Sequence, residues 1–238
     1  MKSAKSVGRI VGGLLFVQLV LITAGFIFVM PITTPSYLQV AAAISLEIRT
    51  GVLLLTACGV ITIGIAIAAF AVFRQHSQEM ALLLLAVSVI SFSMQAVDNM
   101  HMLSMLSLSQ QYAQGGASGS DAFGLLATAM RSTRRFSHHT ELLVIDLWFL
   151  VFFGLLFRLS LIPRALAGFG LLMTAIHLTG VALPPFVGYG SVSVLGYSLA
   201  LGYLTIGTWL VWKGFEERPT EQDRFSASGT GGRCSPSP

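Results

Sequence analysis

Six stretches of roughly 20 apolar residues, each closed by a short polar or proline-bearing break, leave this chain few ways to fold. They cover residues 10–30, 50–73, 81–103, 140–157, 165–183 and 192–212. A segment of that length and greasiness matches a hydrocarbon layer of about 30 Å. Inside such a layer every backbone N–H and C=O must find its partner within the segment, which selects the α-helix. The breaks carry the expected stop signals: Pro31 and Pro35, "RQHSQE", "QGGASGSD", Pro163, and Pro184 with Pro185. With 54% hydrophobic and 10% charged residues, against about 25% charged in soluble domains, the composition excludes a soluble globular domain. The expected fold is an all-α, polytopic transmembrane bundle of six spans.

The first 30 residues pair a basic end with an apolar stretch too long for a signal-peptide core, and no A-x-A-like site follows, so they read as an uncleaved first span. Residues 1–215 are expected to form the membrane domain. The Pro-, Gly- and Ser-rich segment 216–238 is expected to be a disordered cytoplasmic tail. Cys58 lies mid-span and Cys234 in the tail, which gives neither a disulfide framework nor a cysteine metal site.

Placing the N-terminus in the cytoplasm puts Lys2, Lys5, Arg9, Arg74, Arg158, Arg164, Lys213, Arg218, Arg224 and Arg233 inside. Arg49, Arg131, Arg134 and Arg135 then lie outside, and ten against four obeys the positive-inside rule with both termini cytoplasmic. The expected location is thus a cell (inner) membrane, crossed several times. Two outer segments are more than turns. "YLQVAAAISLEIR" reads as a short interfacial helix or an extension of the second span. "DAFGLLATAMRSTRRF" sets Phe123, Leu126 and Met130 on one face and three arginines at its end, the pattern of a helix lying on the outer leaflet among lipid phosphates. Small residues at i, i+4 mark expected helix contacts: Gly8 and Gly12, Gly64 and Ala68, Ser198 and Gly202.

The polar residues of the spans carry the functional question. At about 1.5 Å per residue, Asp146 stands roughly 17 Å above the inner edge and His177 roughly 20 Å, while Asp98 and His101 lie near the outer interface. His139 is seven residues from Asp146 and shares its face. Glu47 and Arg49 precede the second span at the outer surface. The ionisable groups therefore gather in the outer half, and the inner half is expected to be nearly empty of polar groups. A bland explanation exists for each: His138, His139 and Glu141 as interfacial capping residues, Asp98 and His101 as an i, i+3 pair, His177 bonded to a backbone carbonyl. Asp146 resists one, because a carboxylate at that depth costs roughly 2.5 to 3.5 kcal/mol and such residues face a bundle interior or a wet cavity. Converging, Asp98, His101, His139, Asp146 and His177 would form a pocket opening outward, with Trp148, Phe149, Phe152, Phe153 and Trp209 lining its lower part. A carboxyl group buried there can hold its proton at neutral pH, as a general acid or a donor to a lipid-soluble ligand requires.

The stretches "HHTELLVIDLWFLVFFGLLFRLSLIPRALAG" and "RTGVLLLTACGVITIGIAIAAFAVFRQHSQEMAL" resemble the DUF4386 family of bacterial integral membrane proteins, and the order of elements fits from about residue 5 to 212. The resemblance implies the six-span topology and no chemistry. It also marks a departure: Ser88 and Ser91 stand where family members often carry an Arg and a Glu.

Four functions compete. The first is an outward-facing Asp/His site that binds or transforms a lipid-soluble, isoprenoid-like substrate, with Asp146 and Asp98 as acids and His101, His139, His177, Trp148, Phe149 and Phe153 as binding residues. The second is a b-type haem or quinone protein using His101, His139 or His177. The third is a small proton-coupled carrier, against which the polar-poor inner half counts. The fourth is a non-catalytic assembly or regulatory partner. Membrane lipids are the expected surroundings. The sequence holds no H-E-x-x-H zinc motif, nucleotide loop or nucleic-acid patch.

Overall fold

The computed structural model describes residues 3–115 and 120–216, so the tail expected to be disordered lies almost wholly outside the described residues. Seven helices follow in order: α1 (Ala4–Val29), α2 (Tyr37–Val40), α3 (Ser45–Phe73), α4 (Gln78–Gly115), α5 (Ser120–Leu159), α6 (Arg164–His177) and α7 (Tyr197–Lys213). Among the described residues there is no strand. All except α2 belong to the six stretches long and apolar enough to cross a membrane.

Each spanning helix packs against its neighbours in the chain, and α1 closes on α7, so the six form a ring in sequence order. Consecutive spans alternate direction, and both ends of the described chain meet at one face. Lys5, Arg9, Arg74, Arg158, Arg164 and Lys213 fall at this terminal face, and Glu47, Arg49, Arg131, Arg134 and Arg135 towards the opposite, distal face. The seam between α1 and α7 depends on glycine. A Cβ on Gly8 would fall on the backbone of Gly214 and Phe215, and one on Gly12 would stand 2.7 Å from the Val211 nitrogen. The Gly64–Ala68 contact expected from spacing is not made at Gly64, which has no neighbour within 4 Å of a Cβ position. Gly202 makes ordinary contacts with Met173 and Phe153.

The largest departure from expectation concerns the outer-leaflet helix. Residues 120–159 form one continuous helix of 40 residues, so "DAFGLLATAMRSTRRF" is the distal part of the fourth span and no separate interfacial element. Its partner α4 runs for 38 residues. At about 1.5 Å per residue both approach 60 Å, roughly twice the hydrocarbon thickness, so the α4–α5 hairpin projects well beyond the distal face. Part of what reads as an apolar stripe for lipid is spent on protein, while Leu126 stays exposed. Ala127, with Phe123 and Met130 beside it, joins a second core made by Ile32, Tyr37, Ile48, Met102, Met105 and Leu106. Tyr37 donates to the Ala127 carbonyl at 3.3 Å. Ser109 donates to the Leu38 carbonyl at 2.9 Å and accepts from the Ala42 amide at 2.9 Å, pinning α2 against α4. Burial pushes the Tyr37 hydroxyl above its ordinary range, against the opposing pull of Arg131.

"YLQVAAAISLEIR" divides: Tyr37–Val40 is a short helix, and Ser45 starts α3 five residues before the expected span. Beyond α6 the chain passes into a π turn over Leu178–Ala182, then a 3₁₀ turn at Pro184–Phe186. The Val192 amide returns to the Gly180 carbonyl at 2.9 Å, folding this connection over the end of the bundle.

Candidate functional site

Three polar groups interrupt the apolar interior, and α5 contributes to all of them. Highest is the cluster of Asp98 from α4 with Arg134, His138 and Glu141 from α5. Arg134 donates to Asp98 Oδ2 at 3.1 Å. His138 Nδ1 stands 3.6 Å from the same oxygen and 3.3 Å from Glu141 Oε2. Spacings of four and three residues put Arg134, His138 and Glu141 on one face of α5, and the hairpin register brings Asp98 opposite. The expected Asp98–His101 pair is not formed: Asp98 turns to α5, and His101 has no hydrogen bond or ion pair among the described residues.

The ligand atoms of Asp98, His138 and Glu141 lie within 4.8 Å of one another, the spread of a metal shell. Arg134 already occupies the cation position on Asp98, so a dication would meet a guanidinium at 3.1 Å from its ligand. The cluster reads as a self-compensated ion network.

Deeper, Asp146 of α5 and His177 at the end of α6 are joined. His177 Nδ1 lies 2.8 Å from Asp146 Oδ1 and 3.0 Å from Oδ2, with the residues 0% and 4% exposed. His177 is the last residue of α6 before the π turn, a wider turn that recurs at functional sites. Between the two groups sits His139, 8% exposed, with its Nδ1 unpartnered. Its ring centroid is 6.0 Å from that of His138, and it lies within electrostatic range of His177. Protonatable side chains thus step from the distal face into the bundle.

The third group was not legible as a site. The Gln18 amide of α1 donates to Thr62 Oγ1 at 2.6 Å and to the Cys58 carbonyl at 3.4 Å on α3. With Ser91, Gln95 and Trp148 these residues line a void of about 30 Å³, the size of one water. At about 21 Å along α1 from the terminal face, Gln18 stands mid-bundle, at about the height of Asp146 and His177. The signal available was a lone glutamine within a 20-residue apolar run.

The expected aromatic lining is instead packed core. Trp148 stacks on Phe152 at 5.1 Å, Phe149 on Phe153 at 5.3 Å, and Tyr203 meets Phe149 edge-on at 5.0 Å. Of these only Trp148 touches the small void. Trp209 packs at the edge of the same core, beside Lys5 and Lys213 at the terminal face. This aromatic layer seals the bundle below the polar groups. Ser88, one of the two positions at which the chain departs from the resemblance, anchors the layer: its hydroxyl accepts from Trp148 Nε1 at 2.7 Å and donates to the Leu84 carbonyl at 2.7 Å. Ser88→Ala is expected to orphan the buried indole N–H and cost about 1–3 kcal/mol, read as a lower Tm with altered tryptophan emission.

Of the histidines considered for haem, His177 is tied to Asp146, His101 is half-buried without a partner, and only His139 lines a described cavity of ligand size. The geometry gives axial ligation by two of them no support.

A family model described as "Domain of unknown function (DUF4386)" matches residues 10–214, most of the chain. No curated protein and no solved structure matches it.

Proposed function

The chain belongs to the DUF4386 family, and from that premise we propose that it is a membrane-embedded binding protein whose Asp/His site holds a lipid-soluble small molecule in the distal half of the bundle. Both termini face the cytoplasm of a bacterial inner membrane on this reading, and the site opens outward. The observation that carries the proposal is the Asp146–His177 pair, bonded at 2.8 Å and almost wholly excluded from solvent. A bundle held together by apolar packing gains little from a buried ion pair that well-packed hydrophobic residues replace at no cost. Its place at mid-depth, below His139 with its open Nδ1, suits a ligand that exchanges a hydrogen bond or a proton there.

The ligand is expected to be a mostly apolar molecule with one carbonyl or hydroxyl, entering from the distal face and presenting its polar end to His139 and the Asp146–His177 pair. Asp98 takes no direct part on this reading, because Arg134 and His138 stand against its Oδ2 and balance its charge, while its Oδ1 stays buried without a partner. The test is mass spectrometry of small molecules extracted from the detergent-purified protein. A lipophile should accompany the wild type and be depleted roughly tenfold from Asp146→Asn, which keeps the shape and changes the proton inventory. Equal recovery from both, in a variant that remains folded, would overturn the assignment.

A further inference from the structure

Above the Asp98 cluster, a cavity of about 420 Å³ opens at the distal face, walled by Arg131, Arg134, Arg135, His138, His139 and Thr128. The concentration of cations is far beyond what the local carboxylates balance. Asp98 takes Arg134 and Glu141 takes His138. Arg131 and Arg135 have no carboxylate partner among the described residues, so two full positive charges remain on the wall.

The wall also holds a donor with nothing to donate to. Arg134 is a side chain 9% exposed whose Nη2 is bonded to Asp98 while its Nε is buried and unpartnered. A buried donor without an acceptor is destabilising, so the Arg134 guanidinium on this wall has unused capacity for an acceptor. Helical spacing explains the geometry. Arg131, Arg134, Arg135 and His138 fall at i, i+3, i+4 and i+7 on α5, one continuous face towards the cavity.

We infer that this cavity binds a tetrahedral oxyanion of the phosphate class. Guanidinium groups present forked N–H donors that match phosphate oxygens pairwise, and a phosphate accepts from several at once. Height along α5 agrees. Counting about 1.5 Å per residue from Leu159, His139 stands about 30 Å up and Arg135 about 36 Å, the upper boundary of the hydrocarbon and the level of headgroup phosphates. The anion is a phosphate carried on a lipid headgroup or a free phosphate, and both present the same chemistry to the wall. His139 borders both this cavity and the Asp146–His177 site, but the arginines that define the anion site take no part in that pair.

The test uses the full chain in detergent and in nanodiscs. Inorganic phosphate is titrated by calorimetry into the detergent-purified protein. In parallel, thermal unfolding is compared in nanodiscs of phosphatidylcholine alone and with phosphatidic acid added. The wild type is set against the double variant Arg131→Gln/Arg135→Gln and against Arg158→Gln/Arg164→Gln, which removes equal charge at the terminal face. Phosphate binding that weakens roughly tenfold or more in the distal variant only supports a free anion. No binding of free phosphate, with a stabilisation by phosphatidic acid that only the distal variant loses, supports the headgroup. The inference is overturned if neither probe acts on the wild type, or if the two double variants respond alike. Asp146→Asn should leave both responses unchanged, which keeps failure here distinct from failure of the proposed function.

Discussion

Removing either partner of the Asp146–His177 pair alone is expected to be among the most damaging single changes in the bundle, and removing both together is expected to be milder. The pair is nearly solvent-free, 0% and 4% exposed, and each side chain's partner is the other. Asp146→Leu leaves an imidazole at mid-depth with its Nδ1 unanswered, and His177→Leu leaves a carboxyl group in the same plight. Breaking a buried pair from one side typically costs about 3–5 kcal/mol, whereas replacing both members with packed apolar groups is often close to neutral. The measurement is a cycle of thermal unfolding in detergent on the wild type, the two single variants and the double variant. The double variant should lose clearly less than the sum of the singles, with a coupling on the order of 1–3 kcal/mol. Single variants within about 0.5 kcal/mol of the wild type would mean that the pair does not form.

The second large effect is expected at the α1–α7 seam, where Gly8→Val should disrupt closure of the ring. A Cβ at Gly8 meets the main chain of Gly214 and Phe215, and main chain cannot rotate aside as a side chain can. Gly214 faces the same seam with φ of 75°, its own Cβ position falling on the Lys5 backbone. Overpacking a core costs about 1–3 kcal/mol, occasionally more, and contact against backbone on both sides puts Gly8→Val at or above the upper end. Gly64→Ala is the control. Nothing stands within 4 Å of its Cβ, and alanine improves helix propensity, so its stability should stay level or rise by up to about 1 kcal/mol. Yield and Tm of the two variants decide the matter. Matching values would show that α1 and α7 do not close against each other.

The spans were legible because length and hydropathy alone define them: residues 50–73 fall within α3, and 140–157 within α5. Depth was legible for the same reason. Helical rise put Asp146 and His177 at similar heights on antiparallel spans, and they meet at 2.8 Å. Partners set by tertiary register were not. Asp98 was matched with His101 on its own helix, yet its cation comes from Arg134, 36 residues on, through an α4–α5 alignment that no local pattern encodes. The Phe123, Leu126 and Met130 stripe misled for a related reason. An apolar face looks the same whether it meets lipid or protein, and here Phe123 and Met130 pack beside the second core. Gln18 escaped notice because an uncharged amide barely lowers the hydropathy of its run, although its hydrogen bonds tie α1 to α3.

The central claim is that the polar interior is reached from one face only, the distal one, and that this face is outside the cell. Thiol accessibility tests it most directly. In a background with Cys58→Ser and Cys234→Ser, the variants Arg135→Cys, His139→Cys and Lys213→Cys are treated in intact cells with a sulfonated, membrane-impermeant methanethiosulfonate. Position 135 should react quickly and position 139, on the cavity wall but 8% exposed, more slowly. Position 213, at the terminal face, should react only after the membrane is opened. Labelling of position 213 in intact cells with positions 135 and 139 silent would reverse the orientation. Reaction at 135 with 139 inert from either side would close the route to Asp146 and His177 and contradict the account.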